Sequence, residues 1–477
     1  MDQKFLFVDG VQIGKTARKQ IRRHVMNGKN AGKKVHRRSR LDLIRPTPYY
    51  QKQKASGQCE HQIIEQEHQH EHSSKEQRLA CPIMNHRSLG NPFLTLSYPV
   101  ETTSYTINVF NEFFSHVVNR FYPCRLGVSP DDAKYWWLRF ILSDEAAYHV
   151  IIAVAEACNQ FLNGGGDNSP TALYHRQRTL TLVAERLAGK DALSDSTLGV
   201  IVMMIVQEQM RKVVPEAHIH YEGLRRLIEL RGGLDQLEHS PTLLLKICKM
   251  DNLYAWQYGR PMAYFRDRMP YARAMLEAEG FSFDRTVAES AIHHHNLSPY
   301  LYEILLDVTN VSILFNKIPP KTRLNYLTFA ELVHSICYRL SRFQPLHEPS
   351  SLSDLEDVYH IGLMMFMITL FMQFDHSQRV LKCDAVISRL RSILYRDLAE
   401  LDNDLVLWIL FLGGIWITDG PDDLWLHWKI KKMTLSMGID SWAEIYSVIS
   451  AFPWIRNLHN TPGIALWESV YESCQVC

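Results

Sequence analysis

No stretch of this 477-residue chain stays apolar for the 18–20 positions that a bilayer-crossing helix requires. The longest candidates, Ile361–Met372 and Leu405–Ile417, fit buried helices better. Met1–Asp9 holds no apolar h-region of adequate length, which argues against a secretory leader. Cysteines are few, scattered and odd in number, nine in all, which excludes a disulfide-stapled secreted domain and favours a reducing compartment. Only Cys59 and Cys81 fall at positions 1–100. The chain also lacks an excess of either charge, with a formal net charge of +1. These features predict a soluble intracellular protein with no membrane partner.

The small net charge hides an asymmetry. Positions 1–55 contain 15 Lys and Arg against three acidic residues, Asp2, Asp9 and Asp42. Positions 56–477 contain 37 basic and 48 acidic side chains. A basic arm on an acidic body is the pattern of a polyanion-binding tail. Three zones follow from composition: a basic arm at 1–50, a polar linker at 51–100 and a folded body at 101–477. In Gln58–His72 every residue except Cys59, Ile63 and Ile64 is Gln, Glu or His. Such a stretch buries too little apolar area to offset chain entropy, so the linker is expected to be disordered.

The body has helical periodicity nearly throughout and no convincing alternating strand, which predicts an all-α, multi-helix regulatory domain. Helices are expected at Ala146–Phe161, Ala172–Ala188, Thr197–Lys212, Glu216–Arg231 and Thr242–Tyr258. Others are expected at Pro299–Phe315, Tyr326–Leu340, Asp357–Gln373, Ser377–Leu398, Leu401–Ile417, Asp422–Met437 and Ser441–Ile449. Gly164-Gly165-Gly166, Gly232-Gly233, Pro319-Pro320, Asp419-Gly420-Pro421 and Gly438 separate them. Leu198–Val206 and Met364–Met372 are apolar on every side and should lie at the centre. In the helix that follows Pro215, His220, Leu224, Leu227, Ile228 and Arg231 share a face. Leu224, Leu227 and Ile228 should be buried, and Gly232-Gly233 should supply a left-handed stop.

Chemical motifs are scarce. Gly10-Val-Gln-Ile-Gly14-Lys15-Thr16 has three residues between its glycines, where a phosphate loop needs four, and no apolar strand precedes it. Gly164-Gly165-Gly166-Asp167 lacks the strand–turn–helix setting of a dinucleotide site. His68, His70 and His72, and the run His293-His294-His295, have no carboxylate at helical spacing. Cys474 and Cys477 make half a zinc site. No Gly-x-Ser-x-Gly, His-Glu-x-x-His or kinase set is present. His220 reads as a core histidine. Thus no catalytic residue, metal or cofactor is predicted, and the chain is not read as an enzyme. Trp408, Trp416, Trp425, Trp428, Trp442, Trp454 and Trp467 crowd the C-terminal region. They read first as aromatic packing, with a pocket for a small apolar effector as the functional alternative.

The arm carries the strongest local signal. Arg18, Lys19, Arg22 and Arg23 fall along one side of a short candidate helix at Thr16–Met26. Lys29, Lys33, Lys34, Arg37, Arg38 and Arg40 follow in a segment broken by Gly28 and Gly32. Cations at this density neutralise phosphates without sequence preference. The same run has the character of a nuclear-import signal.

Phe5-Leu-Phe-Val8 followed by Ala17–Lys34 resembles the start of many filamentous-fungal regulatory proteins. His220-x2-Gly-Leu-x2-Leu-Ile-x-Leu-Arg-Gly-Gly-Leu234, with Asp251, Trp256, Gly259 and Pro261 after it, resembles a helix and its continuation in the fungal-specific transcription factor domain family. Leu410-Phe-Leu-Gly-Gly414, Phe452-Pro-Trp454 and Leu466-Trp467 fit the same family. The resemblance implies an all-α regulatory domain of a nuclear transcription regulator. Many members carry a six-cysteine binuclear zinc cluster near the N-terminus, and Cys59 and Cys81 are too few for one. The resemblance therefore implies a regulator and leaves its DNA contact unspecified. The expected partners are the DNA backbone and proteins of the transcription machinery or a zinc-cluster regulator, with homodimerisation left open. The alternatives are an interaction protein that acts through a partner regulator without touching DNA and, last, a helical enzyme with an unrecognised site.

Overall fold

The computed structural model describes residues 92–477, apart from 119–121, 123, 164–168, 294–295, 320–321, 372–382, 399, 418–423 and 473–477. The chain divides after Asn85, and every described residue belongs to the unit His86–Cys477. Among the described residues 17 α-helices account for nearly all regular structure. They are α1 (Ser104–Glu112), α2 (Asp131–Ser143), α3 (Glu145–Asn163), α4 (Pro170–Leu187), α5 (Asp195–Met210) and α6 (Val214–Arg231). Next come α7 (Pro241–Tyr258), α8 (Met269–Ala278), α9 (Arg285–Ser290), α10 (Pro299–Lys317), α11 (Tyr326–Phe343) and α12 (Asp354–Phe371). The last are α13 (Asp384–Leu394), α14 (Asn403–Ile417), α15 (Leu424–Met437), α16 (Trp442–Ile449) and α17 (Arg456–Glu472). The all-α reading holds, with one addition. Val128–Ser129 (β1) pairs in parallel with Leu324–Asn325 (β2), a two-residue contact too short to show as alternation.

Local chemistry sets the helix starts. The Ser169 side chain caps α4 ahead of Pro170, and Ser194 caps α5 by accepting from the Thr197 amide at 3.2 Å. Asn325 caps α11 by accepting from the Leu327 amide at 2.7 Å. Ser441 and Glu444 form a reciprocal capping box on α16.

The packing runs from the N-terminal helices to the C-terminal ones through a spine. The α3 helix packs on α4 and α5, α5 on α6 and α7, and α7 on α11; α11 meets α12, and α12 meets α14. Both α5 and α12 are buried on nearly all sides, as their uniformly apolar sequences predict. Close approach of α12 to α14 requires Gly362, because a Cβ there would overlap the Trp408 ring. Trp408 in turn donates from Nε1 to the Pro453 carbonyl at 3.1 Å, and Trp454 exchanges hydrogen bonds with the Ser312 hydroxyl on α10. The C-terminal aromatic and glycine motifs therefore serve as packing joints. A Cβ on Gly414 would overlap Leu466 in the same way.

Helix α6 has a different phase from the one predicted. Its buried residues are Ala217, Tyr221, Leu224 and Ile228, and Leu227 is only half-buried. At 100° per residue the buried face is turned by about 50° from the expected one. The cause is Tyr221. Its hydroxyl donates to the buried Asp251 carboxylate at 2.7 Å, and its ring stacks on Tyr254 with centroids 4.1 Å apart. The C-terminal stop is as predicted. Gly232 and Gly233 have φ of 104° and 101°, and their amides donate back to Glu229 and Ile228. Leu224→Ala should therefore destabilise the protein by about 2–5 kcal/mol as a cavity in the core, and Leu227→Ala by under about half as much. Urea unfolding of both variants checks this, and equal losses would restore the phase centred on Leu227.

Six other helices depart from expectation: α1, α2, α8 and α9 fall where no helix is expected, and the remaining two differ as follows. The predicted Ser377–Leu398 helix ends at Leu394, where the chain turns at Tyr395, and its first part lies outside the described residues. Helix α17 is not expected from the sequence, because Asn460-Thr461-Pro462-Gly463 has the composition of a turn. Packing overrides it: Gly463 lies against Trp442 and Trp454, and Leu466 and Val470 are buried.

Candidate functional site

The arm residues Arg18, Lys19, Arg22, Arg23, Lys29, Lys33, Lys34, Arg37, Arg38 and Arg40 lie outside the described residues, as do the linker centre, the Gly164–Asp167 turn, His294, His295, Cys474 and Cys477. Among the described residues no three metal-ligating side chains converge, and no helix is long and apolar enough to cross a membrane. His149 and His175 form a close pair, with Nδ1 atoms 2.7 Å apart. Burial lowers both, His175 to about 4, so near pH 7 they are neutral packing residues between α3 and α4. His220 is half-buried on α6, and burial lowers it as well.

The Trp-rich region forms core joints. Trp408 and Trp454 are fully buried, and Trp425, Trp442 and Trp467 are partly buried against the core. Trp428 is exposed, and the side chain of Trp416 is outside the described set. A cleft does occur, but elsewhere, at the C-terminal ends of α7 and α11.

This cleft is built on Asp251. A buried aspartate in the middle of α7 needs several donors, and four reach it. They are the hydroxyls of Tyr221 (2.7 Å) and Tyr338 (2.9 Å) and the amides of Ala263 (2.8 Å) and Tyr264 (3.2 Å). Burial pushes its carboxyl up, and the four donors pull against that push. The result is mechanical: one side chain ties α6, α11 and the segment 259–268 to α7. The chain leaves α7 through Gly259, at φ 62°. Arg266 gives the segment its second anchor, through Glu331 on α11 (Nη2–Oε1 2.5 Å) and Glu238 (Nη1–Oε1 2.5 Å). Arg266 and Glu331 are both almost fully buried, so the pair is shielded from solvent screening.

Between the anchored segment and the end of α11 is a cavity of about 440 Å³. Trp256 and Tyr338 lie beneath it, both fully buried, with Trp256 held by a 2.7 Å bond from Nε1 to the Ser341 hydroxyl. Pro261, Met262, Tyr264 and Phe265 form one wall, and Arg342, Pro345 and Leu346 the other. Arg260, His347 and Glu348 stand at its rim. The guanidinium of Arg342 sits over the Phe265 ring, 4.5 Å from its centroid. Arg260 instead engages His218 and Glu222 on α6. The Tyr264 hydroxyl is buried and has no hydrogen-bond partner among the described residues. Its burial and the nearby Asp251 charge push that phenol up, so it stays protonated as a donor.

The volume falls in the range of small-molecule sites, and the accessible lining is mixed, with Arg260, Pro261, Phe265, Arg342, His347 and Glu348 exposed around it. Asp251, Trp256, Gly259 and Pro261 are visible as a spaced set in the sequence. The opposite wall, Arg342 to Leu346, carries no such signal, because only the α7–α11 packing brings it across. No curated protein and no solved structure matches the chain. A family model described as the fungal specific transcription factor domain matches residues 108–451. That match covers most of the chain and nearly all the helices around the cleft, and the chain therefore belongs to the fungal-specific transcription factor domain family.

Proposed function

We propose that this chain is a nuclear transcription regulator whose helical body is the regulatory domain and whose residues 1–50 supply nuclear import and contact with DNA phosphates. The family match over residues 108–451 carries the reading. The charge distribution supports the division of labour, with 15 Lys and Arg at positions 1–55 and an acidic excess in the rest. Cys59 and Cys81 are too few for a six-cysteine zinc cluster at positions 1–100, so base-specific reading falls to a partner regulator or to another surface. The body acts through protein partners rather than as an enzyme.

One experiment tests location and function together. The tagged full chain and a variant with Lys33, Lys34, Arg37, Arg38 and Arg40 replaced by Ala are imaged in the cell and mapped on chromatin. The parent should be nuclear with discrete occupancy; the variant should be cytoplasmic and without it. Unchanged nuclear accumulation of the variant would remove the import role. A nuclear parent with no chromatin occupancy would favour an interaction protein that never touches DNA.

A further inference from the structure

Helix α15 is apolar on both its inner and its outer side. It packs on α14 and α17, and its inner face buries Leu426, Ile430 and Thr434. A helix that is apolar all round is normally enclosed by its neighbours. Here the outer side is open: Leu424 is 63% exposed, Trp428 61% and Leu435 68%. At 100° per residue all three fall within about 60° of the direction pointing away from the core, and they span about 16 Å of helix axis. Tyr395, 72% exposed just after α13, extends the same surface by stacking on Trp425, with ring centroids 6.3 Å apart. The polar side chains interleaved with these residues are cationic. Lys432 is on the outer face, with its ammonium 5.3 Å from the Trp428 ring centroid, and Lys431 is at one edge. Lys429, at the other edge, donates to the Leu394 carbonyl at 2.6 Å. No residue of α15 is acidic, so nothing on its own helix offsets this positive charge.

We propose that this face docks an acidic amphipathic helix of a partner protein, with the partner's apolar stripe on Leu424, Trp428 and Leu435 and its carboxylates toward Lys431 and Lys432. The inference rests on the reading of the helical body as a domain that acts through protein partners. An exposed apolar surface with a charged rim marks an interaction site, and tryptophan is a preferred anchor at such sites. The outward side chains stand at i, i+4 and i+11, a row of about three turns that a second helix matches with its own apolar row. Charge selects the sign of that helix. Carboxylates meet the two lysines, whereas a basic segment is repelled, and a second copy presenting this face would set the same lysines against each other. A single-stranded nucleic acid would engage the cations and the indole but leave Leu424 and Leu435 without apolar partners. Lys432 is already held across the Trp428 ring, so less side-chain freedom is lost on docking.

The probe is a fluorescein-labelled peptide of three repeats of Leu-Glu-Glu-Leu-Leu-Glu-Glu, titrated with the full-length protein and read by anisotropy. Two control peptides replace every Glu by Lys or every Leu by Ser. The acidic peptide should bind at least tenfold more tightly than either control. The Ser control also measures simple attraction to the 15 Lys and Arg at positions 1–55, which needs no apolar contact. Trp428→Ala combined with Leu435→Ala should weaken the acidic peptide at least tenfold. Lys431→Glu combined with Lys432→Glu should weaken it as well and strengthen the Lys peptide. Circular dichroism melts of the two variants, matched to the parent, show that each is folded. Equal binding of the acidic peptide and either control, no binding, or acidic-peptide binding that survives both variants would overturn the proposal. A labelled single-stranded oligonucleotide that binds the parent more tightly than the acidic peptide, and is lost in both variants, would overturn it in favour of nucleic acid. None of these readouts involves chromatin or localisation, so a failure here leaves the regulator reading to its own test.

Discussion

Removal of residues 1–50 is expected to abolish binding of this protein to duplex DNA. The full chain should lose affinity by a few orders of magnitude between about 50 and 200 mM salt. The expectation follows from where the charges are. Positions 1–55 hold 15 cations and three anions, while positions 56–477 hold 48 acidic side chains against 37 basic ones, so the truncated chain repels a polyanion. If roughly half of the arm cations reach phosphates at once, the log–log salt slope is about −6 to −7, at about 0.9 per phosphate. Phosphate contacts carry no sequence information, so random and promoter-derived duplexes should bind nearly alike. Fluorescence anisotropy over a salt series, on full-length and truncated protein, measures all three quantities. Binding that survives truncation, or strong preference for one duplex, would move the reading surface into the helical body.

The second large effect is expected inside the body. Asp251→Ala should destabilise the protein by about 3–5 kcal/mol. The carboxylate accepts from two buried tyrosine hydroxyls and two backbone amides, and alanine leaves all four donors without it. Hydrogen bonds to a charged acceptor contribute about 1.5–3 kcal/mol each, and buried donors left unmade cost about 1–3 kcal/mol each, partly offset by water entering the space. Asp251→Asn keeps the shape and one acceptor oxygen but turns an NH2 toward donors, so it should fall between the parent and the alanine variant. Urea unfolding of the three proteins gives the ranking. A loss under about 1 kcal/mol for alanine would mean that the anchoring of the 259–268 segment rests on Arg266 alone. The same substitution should also free the wall that carries Tyr264 and Phe265, because the Ala263 and Tyr264 amides tie it to α7.

Much of this architecture is local in origin and legible in the sequence. Apolar spacing places α3 through α7, α10 to α12 and α14 to α16 within a few residues of their ends. Those ends are set by groups close in the chain: a Ser or Asn hydrogen bond to an amide two or three residues on, a proline in the first turn, a glycine at positive φ after the last. Uniformly apolar α5 and α12 have only one place to go, the centre. The charge split between arm and body is likewise a property of composition alone.

Tertiary structure decided what local energies leave nearly balanced. Tyrosine suits either a buried or an exposed position, so the face of α6 turned on whether Tyr221 had a buried acceptor, and Asp251 is 30 residues further along. Asn460-Thr461-Pro462-Gly463 disfavours a helix locally. Burial of Leu466 and Val470, with Gly463 fitted against two tryptophans, outweighs that bias in α17. The cleft needs residues from two helices that are remote in the chain, with Trp256 bonded to Ser341 across 85 positions. Spacing cannot express such a pairing, since it depends on how α7 and α11 cross. That Arg342, in the last turn of α11, comes to lie over the Phe265 ring is likewise a fact of three-dimensional packing.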